Sequence, residues 1–260
     1  MGLQKTEAIV IGSWALGESD RIVAFYTRAH GKLRGVAQGA RRPRSRFAGA
    51  IELFTYGSLV FFEKETAELV RINSFDVLRH HQALREDLRR LGCGAWMVEC
   101  LSRLTPDRDP FPALFALLRG GLHRLAQGGD PARISLLYTF RLLDLLGHRP
   151  QVTRCLDCHR SPLAPAWFES ARGGVRCGRC GDPGRGITLS GPTLTGLQRL
   201  QRLPWESGER LRLTRVQRDE VHAVVQEYMT YLTGQPPRSL RFLASIEEPT
   251  LVGTAASERS

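Results

Sequence analysis

The sequence predicts an α+β protein, in which an OB-fold-like small β-barrel is followed by an all-helical domain with an inserted four-cysteine element. Three observations predict this architecture. Apolar residues occur in short strand-like runs as far as about residue 77, they recur every three to four residues after about residue 80, and two C-x2-C motifs interrupt the helical part. The expected boundaries are 1–79 for the barrel, 80–245 for the helical domain, 150–188 for the cysteine element within it and 246–260 for a flexible tail.

Five runs rich in Val, Ile, Phe, Tyr and Leu make up the predicted barrel, at positions 6–14, 20–28, 32–38, 51–63 and 67–77. About five short strands in seventy residues suggest a small closed barrel, of which the OB-fold is the commonest five-stranded kind. The second run is apolar on both faces, as expected for a strand curled into such a barrel. Gly31 should allow a tight hairpin between the second and third runs, because glycine accepts a positive φ.

Helical periodicity begins near residue 80, where an apolar stripe runs from Leu84 to Leu104 at steps of three and four. Further helices are predicted over 111–126, 134–146 and 216–232, and another should begin at Ser190 as its N-cap. Asp130 and Pro131 supply the start of the 134–146 helix. That helix is apolar almost all round, so we expect it to be the central one.

Cys155, Cys158, Cys177 and Cys180 form two C-x2-C motifs that are separated by eighteen residues. Two residues between cysteines let one tight turn aim both thiolates at a common point, and two such knuckles complete a tetrahedral cage around Zn²⁺. Four thiolates leave no open coordination position for water, so the zinc is expected to be structural. Degenerate knuckles without metal and a redox dithiol stay open as alternatives, although a redox motif belongs at a helix N-terminus.

The other cysteines and the histidines near these features are expected to have no special chemistry. Cys93 and Cys100 lie seven residues apart on a predicted helix, about 10 Å, which is beyond the reach of a disulfide. We expect them to be core thiols. His159 is expected to be a surface residue beside the second metal-site cysteine, and His80 and His81 a solvated pair at a helix start.

Residues 21–50 contain eight basic residues and no Asp or Glu, so this stretch carries +8 of the net charge of +11. Pro43 interrupts helix and sheet hydrogen bonding, which predicts that the arginines around it lie on an extended loop able to follow a phosphate backbone. Ser45 could donate to a phosphate, and the ring of Phe47 is expected to stack on a base. The predicted DNA-binding residues are Lys32, Arg34, Arg41, Arg42, Arg44, Arg46 and Phe47.

A solvated arginine loop is the alternative interpretation of this cluster. Membrane binding is disfavoured, because proline and glycine argue against an amphipathic helix there and no apolar stretch is long enough to span a bilayer. The first residues lack the features of a secretory signal. We therefore expect a cytoplasmic, nucleoid-associated protein.

Signatures of common enzymes are missing from the sequence. It contains no P-loop, no dinucleotide-binding glycine motif after a strand, no H-E-x-x-H and no G-x-S-x-G. We expect no enzymatic activity, and a nuclease that uses scattered carboxylates with Mg²⁺ is the alternative.

The predicted barrel contains a series of short motifs in a fixed order. They are Gly17-Glu18-Ser19-Asp20-Arg21-Ile22-Val23, Thr27, Gly31-Lys32, Gly39-Ala40-Arg41-Arg42 and Ser45-Arg46-Phe47. Their order and spacing resemble the bacterial recombination-mediator family RecO, and the resemblance runs to about residue 243. The cysteine motifs lie where zinc-containing members of that family carry theirs.

The resemblance implies a DNA repair protein of the RecF recombination pathway. Such a protein binds single- and double-stranded DNA, anneals complementary strands and contacts the C-terminal tail of the single-stranded-DNA-binding protein. With RecR it helps to load RecA onto strands coated by that protein. A zinc-containing RNA-binding or ribosome-associated factor is the alternative, since barrel, zinc and basic charge would look much the same.

Overall fold

The structure is a computed structural model that describes residues 2–63, 68–182 and 184–247. Five strands form a closed barrel, helices follow, and a three-stranded sheet lies between the fourth and fifth helices along the chain. The predicted fold class, a strand-rich N-terminal half followed by a helical half with a cysteine cluster, is confirmed.

The barrel closes in the order β1-β2-β3-β5-β4. Its long first strand pairs with β4 through its first half and with β2 through its second, and the pairing with β2 shifts register between Val10 and Gly12. The β3–β5 pair is parallel and completes the closure. The strands are β1 (Gly2–Leu16), β2 (Asp20–Thr27), β3 (Gly31–Ala37), β4 (Tyr56–Glu63) and β5 (Val70–Arg79).

The surroundings of strand β2 explain why its sequence is apolar on both faces. Val23 and Phe25 point into the barrel core, where the rings of Phe25 and Phe75 lie 5.2 Å apart between centroids. Tyr26, on the opposite face, is fully buried in the core of the helical half. The strand is therefore covered on one side by the barrel and on the other by helices.

The segment between β3 and β4 differs from its prediction. The sequence predicts a strand from residue 51, whereas β4 begins at Tyr56 and residues 38–54 are mostly turns. Gly49 and Phe54 adopt φ values of 69° and 71°, which reverse the chain and are incompatible with a strand. Ala50 and Ile51 are buried in the barrel core from these turns, so their apolar character reflects packing rather than strand pairing.

The helical half contains one break that periodicity did not predict. The periodicity predicts a single helix from Leu84 to Leu104, but Asp87 is extended and its side chain accepts a hydrogen bond from the Arg90 amide. Aspartate is a favoured N-cap, so it starts a new helix instead of continuing the old one. The helices are α1 (Ala83–Glu86), α2 (Leu88–Leu104), α3 (Pro112–Ala126), α4 (Pro131–Leu145), α5 (Gly191–Arg202), α6 (Trp205–Gly208), α7 (Arg215–Thr233) and α8 (Arg238–Glu247).

Helix α4 is the central helix, as its sequence predicts. It is buried on nearly every side, and the Thr139 hydroxyl accepts a 2.8 Å hydrogen bond from the indole of Trp96 in α2. Asp130 and Ser190 cap α4 and α5 as expected. Within the part of the chain that the structure describes, none of the helices combines the length and the apolar character that crossing a bilayer requires.

Beside the core inside the barrel, a second apolar cluster joins the barrel to the helices. Ile9, Tyr26, Phe54 and Tyr56 from the barrel half belong to the same buried cluster as residues of α2, α3 and α4. His81 lies at this junction, where it is buried and its Nδ1 is 2.9 Å from the Phe54 carbonyl oxygen. The prediction of a solvated histidine pair is therefore wrong for His81, although His80 is exposed.

The cysteine element contains a small sheet, in the order β7-β6-β8, that packs on the helices. Phe168, Val175 and Leu189 are fully buried, and the Phe168 ring meets the Tyr228 ring of α7 edge-on at 5.5 Å. The strands are β6 (Ala166–Glu169), β7 (Gly174–Arg176) and β8 (Ile187–Leu189). The four cysteines are thus held on a packed scaffold. The predicted tail lies outside the described residues from position 248 onward.

Candidate nucleic-acid interface and metal centre

The structure brings the four predicted metal-site cysteines together. The sulfur atoms of Cys155, Cys158, Cys177 and Cys180 all lie within 4.8 Å of one another, and those of Cys158 and Cys177 are 3.9 Å apart. Four sulfurs about 2.3 Å from a tetrahedral Zn²⁺ would be separated by about 3.8 Å. The spacing and the soft donor set therefore fit a metal ion held by four cysteines.

Backbone amides lower the pKa of a cysteine in the first knuckle, which favours the thiolate that a cation would bind. Burial of the Cys155 thiol raises its pKa, but amides of Cys158, Cys177 and Asp157 donate to its sulfur and bring the pKa down to about 6. Hydrogen bonds with the sulfurs of Cys158 and Cys177 raise the pKa of the Cys180 thiol to about 12. A divalent cation would replace the thiol protons. His159 is exposed and outside the cluster, as predicted.

The basic segment after β3 is a compact succession of turns rather than the expected extended loop. The amide of Arg42 donates to the Gly39 carbonyl, that of Ser45 to Arg42, and that of Ala48 to Ser45. Each of these bonds spans three residues, as in a β-turn. We call residues 39–47 the arginine turns.

The arginine turns are fastened to the neighbouring β1–β2 turn. Asp20 accepts a 2.8 Å hydrogen bond from the Gly39 amide, and this bond, followed by one from the Ser19 hydroxyl, lowers the pKa of Asp20. The Arg41 amide donates to the Ser19 carbonyl, and its guanidinium donates to the Gly17 carbonyl at 2.7 Å. This anchoring role was not among the roles predicted for Asp20 or Arg41. The sequence feature that could have indicated it is Asp20, a carboxylate that comes directly before a basic stretch without acidic residues.

Arg42, Arg44 and Arg46 are the basic side chains of the arginine turns that stay available to a ligand. All three are exposed, and none forms an ion pair with a described residue. Arg46 lies over the ring of Phe47 at 4.9 Å from its centroid. The turns therefore present three guanidinium groups on a backbone that is held in place.

Phe47 does not have the role predicted for it. Its side chain is 1% exposed and belongs to the barrel core, so the ring is not available to stack on a base. The hydroxyl of the half-buried Ser45 accepts a hydrogen bond from the Phe47 amide. An aromatic residue among arginines can either stack on a base or pack into the core and anchor the backbone. Only the packing of the folded protein distinguishes these two roles. Here Phe47 anchors the turns.

Lys32 and Arg34 are engaged within the protein. The Lys32 ammonium donates to the Ser102 carbonyl at 2.6 Å and lies 3.1 Å from Asp107, with only 14% of its side chain exposed. Arg34 pairs with the same carboxylate at 2.9 Å. Burial raises the pKa of Asp107, but the hydrogen bonds and charges of Lys32 and Arg34 outweigh that effect and lower it. These two residues join β3 to the segment after α2, and we expect them to hold the barrel to the helices rather than to contact DNA.

The remaining basic residues of this stretch also have partners. Arg21 donates to the Ser13 hydroxyl at 2.8 Å, and Arg28 lies 3.6 Å from Glu7. Only part of the charge that dominates the sequence pattern is thus free to act on a ligand.

An OB-like barrel with exposed arginine turns, joined to a helical domain with a four-cysteine site, defines the structural class of this protein. Comparison with family models places it more narrowly. The model described as recombination protein O N terminal matches residues 1–81, and the model described as recombination protein O C terminal matches residues 85–241. The chain belongs to the RecO family of DNA repair and recombination proteins.

Individual relatives agree over nearly the whole chain. The DNA repair protein RecO of Pelotomaculum thermopropionicum is 32% identical over 244 residues, which cover 94% of each chain. That of Roseiflexus sp. is 33% identical over 262 residues, 97% of this chain and 91% of the relative. That of Syntrophobacter fumaroxidans is 40% identical over 179 residues, 68% of this chain and 71% of the relative.

Proposed function

We propose that this protein binds single- and double-stranded DNA through the arginine turns and anneals complementary strands in the RecF recombination pathway. One observation carries the proposal. Arg42, Arg44 and Arg46 are exposed and without ion pairs among the described residues, on turns that the barrel holds in place. Arginine forms bidentate hydrogen bonds with phosphate, so such a surface suits a nucleic-acid backbone.

The proposed mechanism is neutralisation of phosphate charge. Guanidinium groups release counterions from the strand and reduce the repulsion between two strands that are held close together. Because Phe47 is buried, the turns contact the backbone and do not stack on bases. Base pairing then supplies the specificity of annealing, and the protein supplies proximity. The described residues would perform no covalent chemistry in this process.

Zn²⁺ is the metal that we propose for the four-cysteine site, with a structural role. Its four thiolates would saturate a tetrahedral ion and leave no position for water. Family membership supports the remaining parts of the proposal. These are a joint action with RecR, contact with the single-stranded-DNA-binding protein, indirect assistance to RecA, and a place at the nucleoid.

The test is the salt dependence of binding to a fluorescent single strand. Removing three phosphate contacts by Arg42→Gln, Arg44→Gln and Arg46→Gln should reduce the slope of log affinity against log salt by about 2. The matched control removes three partnered charges that were not assigned to the interface, by Arg21→Gln, Arg28→Gln and Arg119→Gln. An unchanged slope in the first variant, or an equal loss in the control, would remove the arginine turns from the interface.

Two further measurements separate the alternative functions. Competition between single-stranded DNA, duplex DNA and structured RNA should favour DNA, whereas a clear preference for RNA would support the RNA-binding alternative. Incubation of labelled DNA with the protein and Mg²⁺ should leave the strands intact, and cleavage would indicate a nuclease.

A further inference from the structure

A second group of arginines lies around the two metal-site knuckles. The acidic residues of the same element are few, and they are already paired. Between residues 150 and 190 the sequence has three acidic residues, and each of them is already paired with an arginine of the same element. The pairs are Arg172–Asp157 at 2.9 Å, Arg176–Asp157 at 2.6 Å, Arg176–Glu169 at 2.9 Å and Arg185–Asp182 at 4.0 Å.

Three arginines of the element are left over: Arg154, Arg160 and Arg179. All three are exposed, and none has an ion pair or a side-chain hydrogen bond with a described residue. The knuckles hold their backbone in place. Arg154 precedes Cys155, the Arg160 carbonyl accepts the Cys155 amide at 2.9 Å, and Arg179 lies between the two cysteines of the second knuckle.

We propose that these three arginines form a second polyphosphate-binding surface, separate from the arginine turns, that holds another nucleic-acid strand. The proposal deepens the function proposed above, since annealing requires two strands at once. It also gives the cysteine element a role beyond bracing the fold. The metal site would fix the spacing of three guanidinium groups, as the barrel fixes that of the arginine turns.

The residue types favour a nucleic-acid backbone over other anionic partners. All three cations are arginines, whose planar guanidinium matches phosphate oxygens in a bidentate manner. They lie on turns, not on an amphipathic helix, so the surface lacks the apolar face that membrane binding needs. An acidic protein would be recognised by the same charges, and salt dependence together with direct binding to DNA distinguishes it.

A simpler interpretation is that the arginines only balance the charge of the metal site. Four thiolates around one Zn²⁺ leave a net charge of about −2, which nearby cations would stabilise. The two interpretations make different predictions. Charge balance requires that loss of the arginines lowers the zinc content, whereas a binding surface requires that DNA affinity changes while zinc is retained.

The experiment uses the full-length zinc-loaded protein and the substitutions Arg154→Gln, Arg160→Gln and Arg179→Gln. The control removes three arginines of the same region that are paired with carboxylates, by Arg149→Gln, Arg172→Gln and Arg185→Gln. Three quantities are measured: zinc per chain, the salt slope for a single-stranded oligonucleotide, and energy transfer between two non-complementary labelled strands on one protein.

We expect the knuckle variant to keep its zinc, to lose about 2 from the salt slope and to lose energy transfer between the strands, while the control keeps all three. Each single substitution should lower the slope by about 0.7, which tests the proposal even if the triple variant loses metal. An unchanged slope in the zinc-loaded single variants would overturn it. If instead the arginine-turn variant shows no change and the knuckle variant does, the proposed interface on the barrel is wrong and this surface stands.

Discussion

At the scale of single residues, the type of a side chain predicts which group it carries but not whether that group is available to a ligand. Lys32 and Arg44 lie in the same basic stretch, yet Lys32 bonds to the Ser102 carbonyl and Asp107, and Arg44 is exposed. Phe47 shows the same for aromatic residues, because it belongs to the barrel core. Sequence reasoning assigned all three to one interface, since nothing local distinguishes a partnered cation from a free one.

Replacing Lys32 by Met should destabilise the protein without weakening DNA binding. The substitution leaves the Ser102 carbonyl without its donor and the Asp107 carboxylate with Arg34 as its remaining partner, which should cost about 1–3 kcal/mol in the free energy of unfolding. Urea denaturation measures this loss, and the salt slope for single-stranded DNA should match that of the unsubstituted protein. A reduced slope with unchanged stability would return Lys32 to the DNA interface.

At the scale of elements, capping decides where the helices of the C-terminal half begin. Asp87 divides one predicted helix into two, and Asp130 and Ser190 start α4 and α5. Helix α8 is held in an unusual way, by a carboxylate from another helix. The carboxylate of Glu99 in α2 accepts hydrogen bonds from the amides of Arg238 and Ser239, at 2.9 and 2.8 Å. No sequence pattern would have paired residues 140 positions apart.

Replacing Glu99 by Ala should loosen α8 and lower the free energy of unfolding by about 2 kcal/mol, because the first amides of the helix lose their acceptor. Burial raises the pKa of Glu99, but hydrogen bonds from Ser239 and Arg238 outweigh it and lower the pKa below 4.5. A lowered carboxylate pKa stabilises the fold above the unfolded value and ceases to do so as the pH falls through the folded value.

The destabilisation by Glu99→Ala should therefore be full at pH 7 and shrink below about pH 4.5. Denaturation midpoints of both proteins across that range provide the measurement. Asp219→Ala, at an exposed position on α7, is the control. A difference that stays constant down to pH 3 would show that the ionised carboxylate does not hold α8.

At the scale of the whole molecule, the barrel and the helices act as one packing unit. Phe54 adopts a φ of 71°, is fully buried, and faces Gly94 of α2 across the junction. A Cβ at position 94 would lie 2.8 Å from the ring of Phe54, so only glycine permits this approach. The hydrogen bond between the Phe54 carbonyl and His81 limits any retreat of that segment.

Replacing Gly94 by Ala should lower the free energy of unfolding by about 1–2 kcal/mol, although alanine is the better helix former. The same change at Gly120 of α3 is the matched control, because its Cβ would meet nothing closer than an arginine tip at 3.6 Å. Gly120→Ala should raise stability by up to about 1 kcal/mol. Urea denaturation followed by circular dichroism should show one transition in each case, and equal effects of the two substitutions would contradict the close approach.

The sequence by itself determined the order of a strand-rich half and a helical half, the central position of α4 and the meeting of four cysteines, because these depend on periodicity, capping and short spacing. Only the tertiary structure decided where β4 begins, which basic side chains are free, and that Phe47 is an anchor. Those outcomes depend on partners distant in the chain, such as Asp107 for Lys32 and Glu99 for α8. A pattern within a short window carries no information about such partners, whereas packing brings them within hydrogen-bond distance.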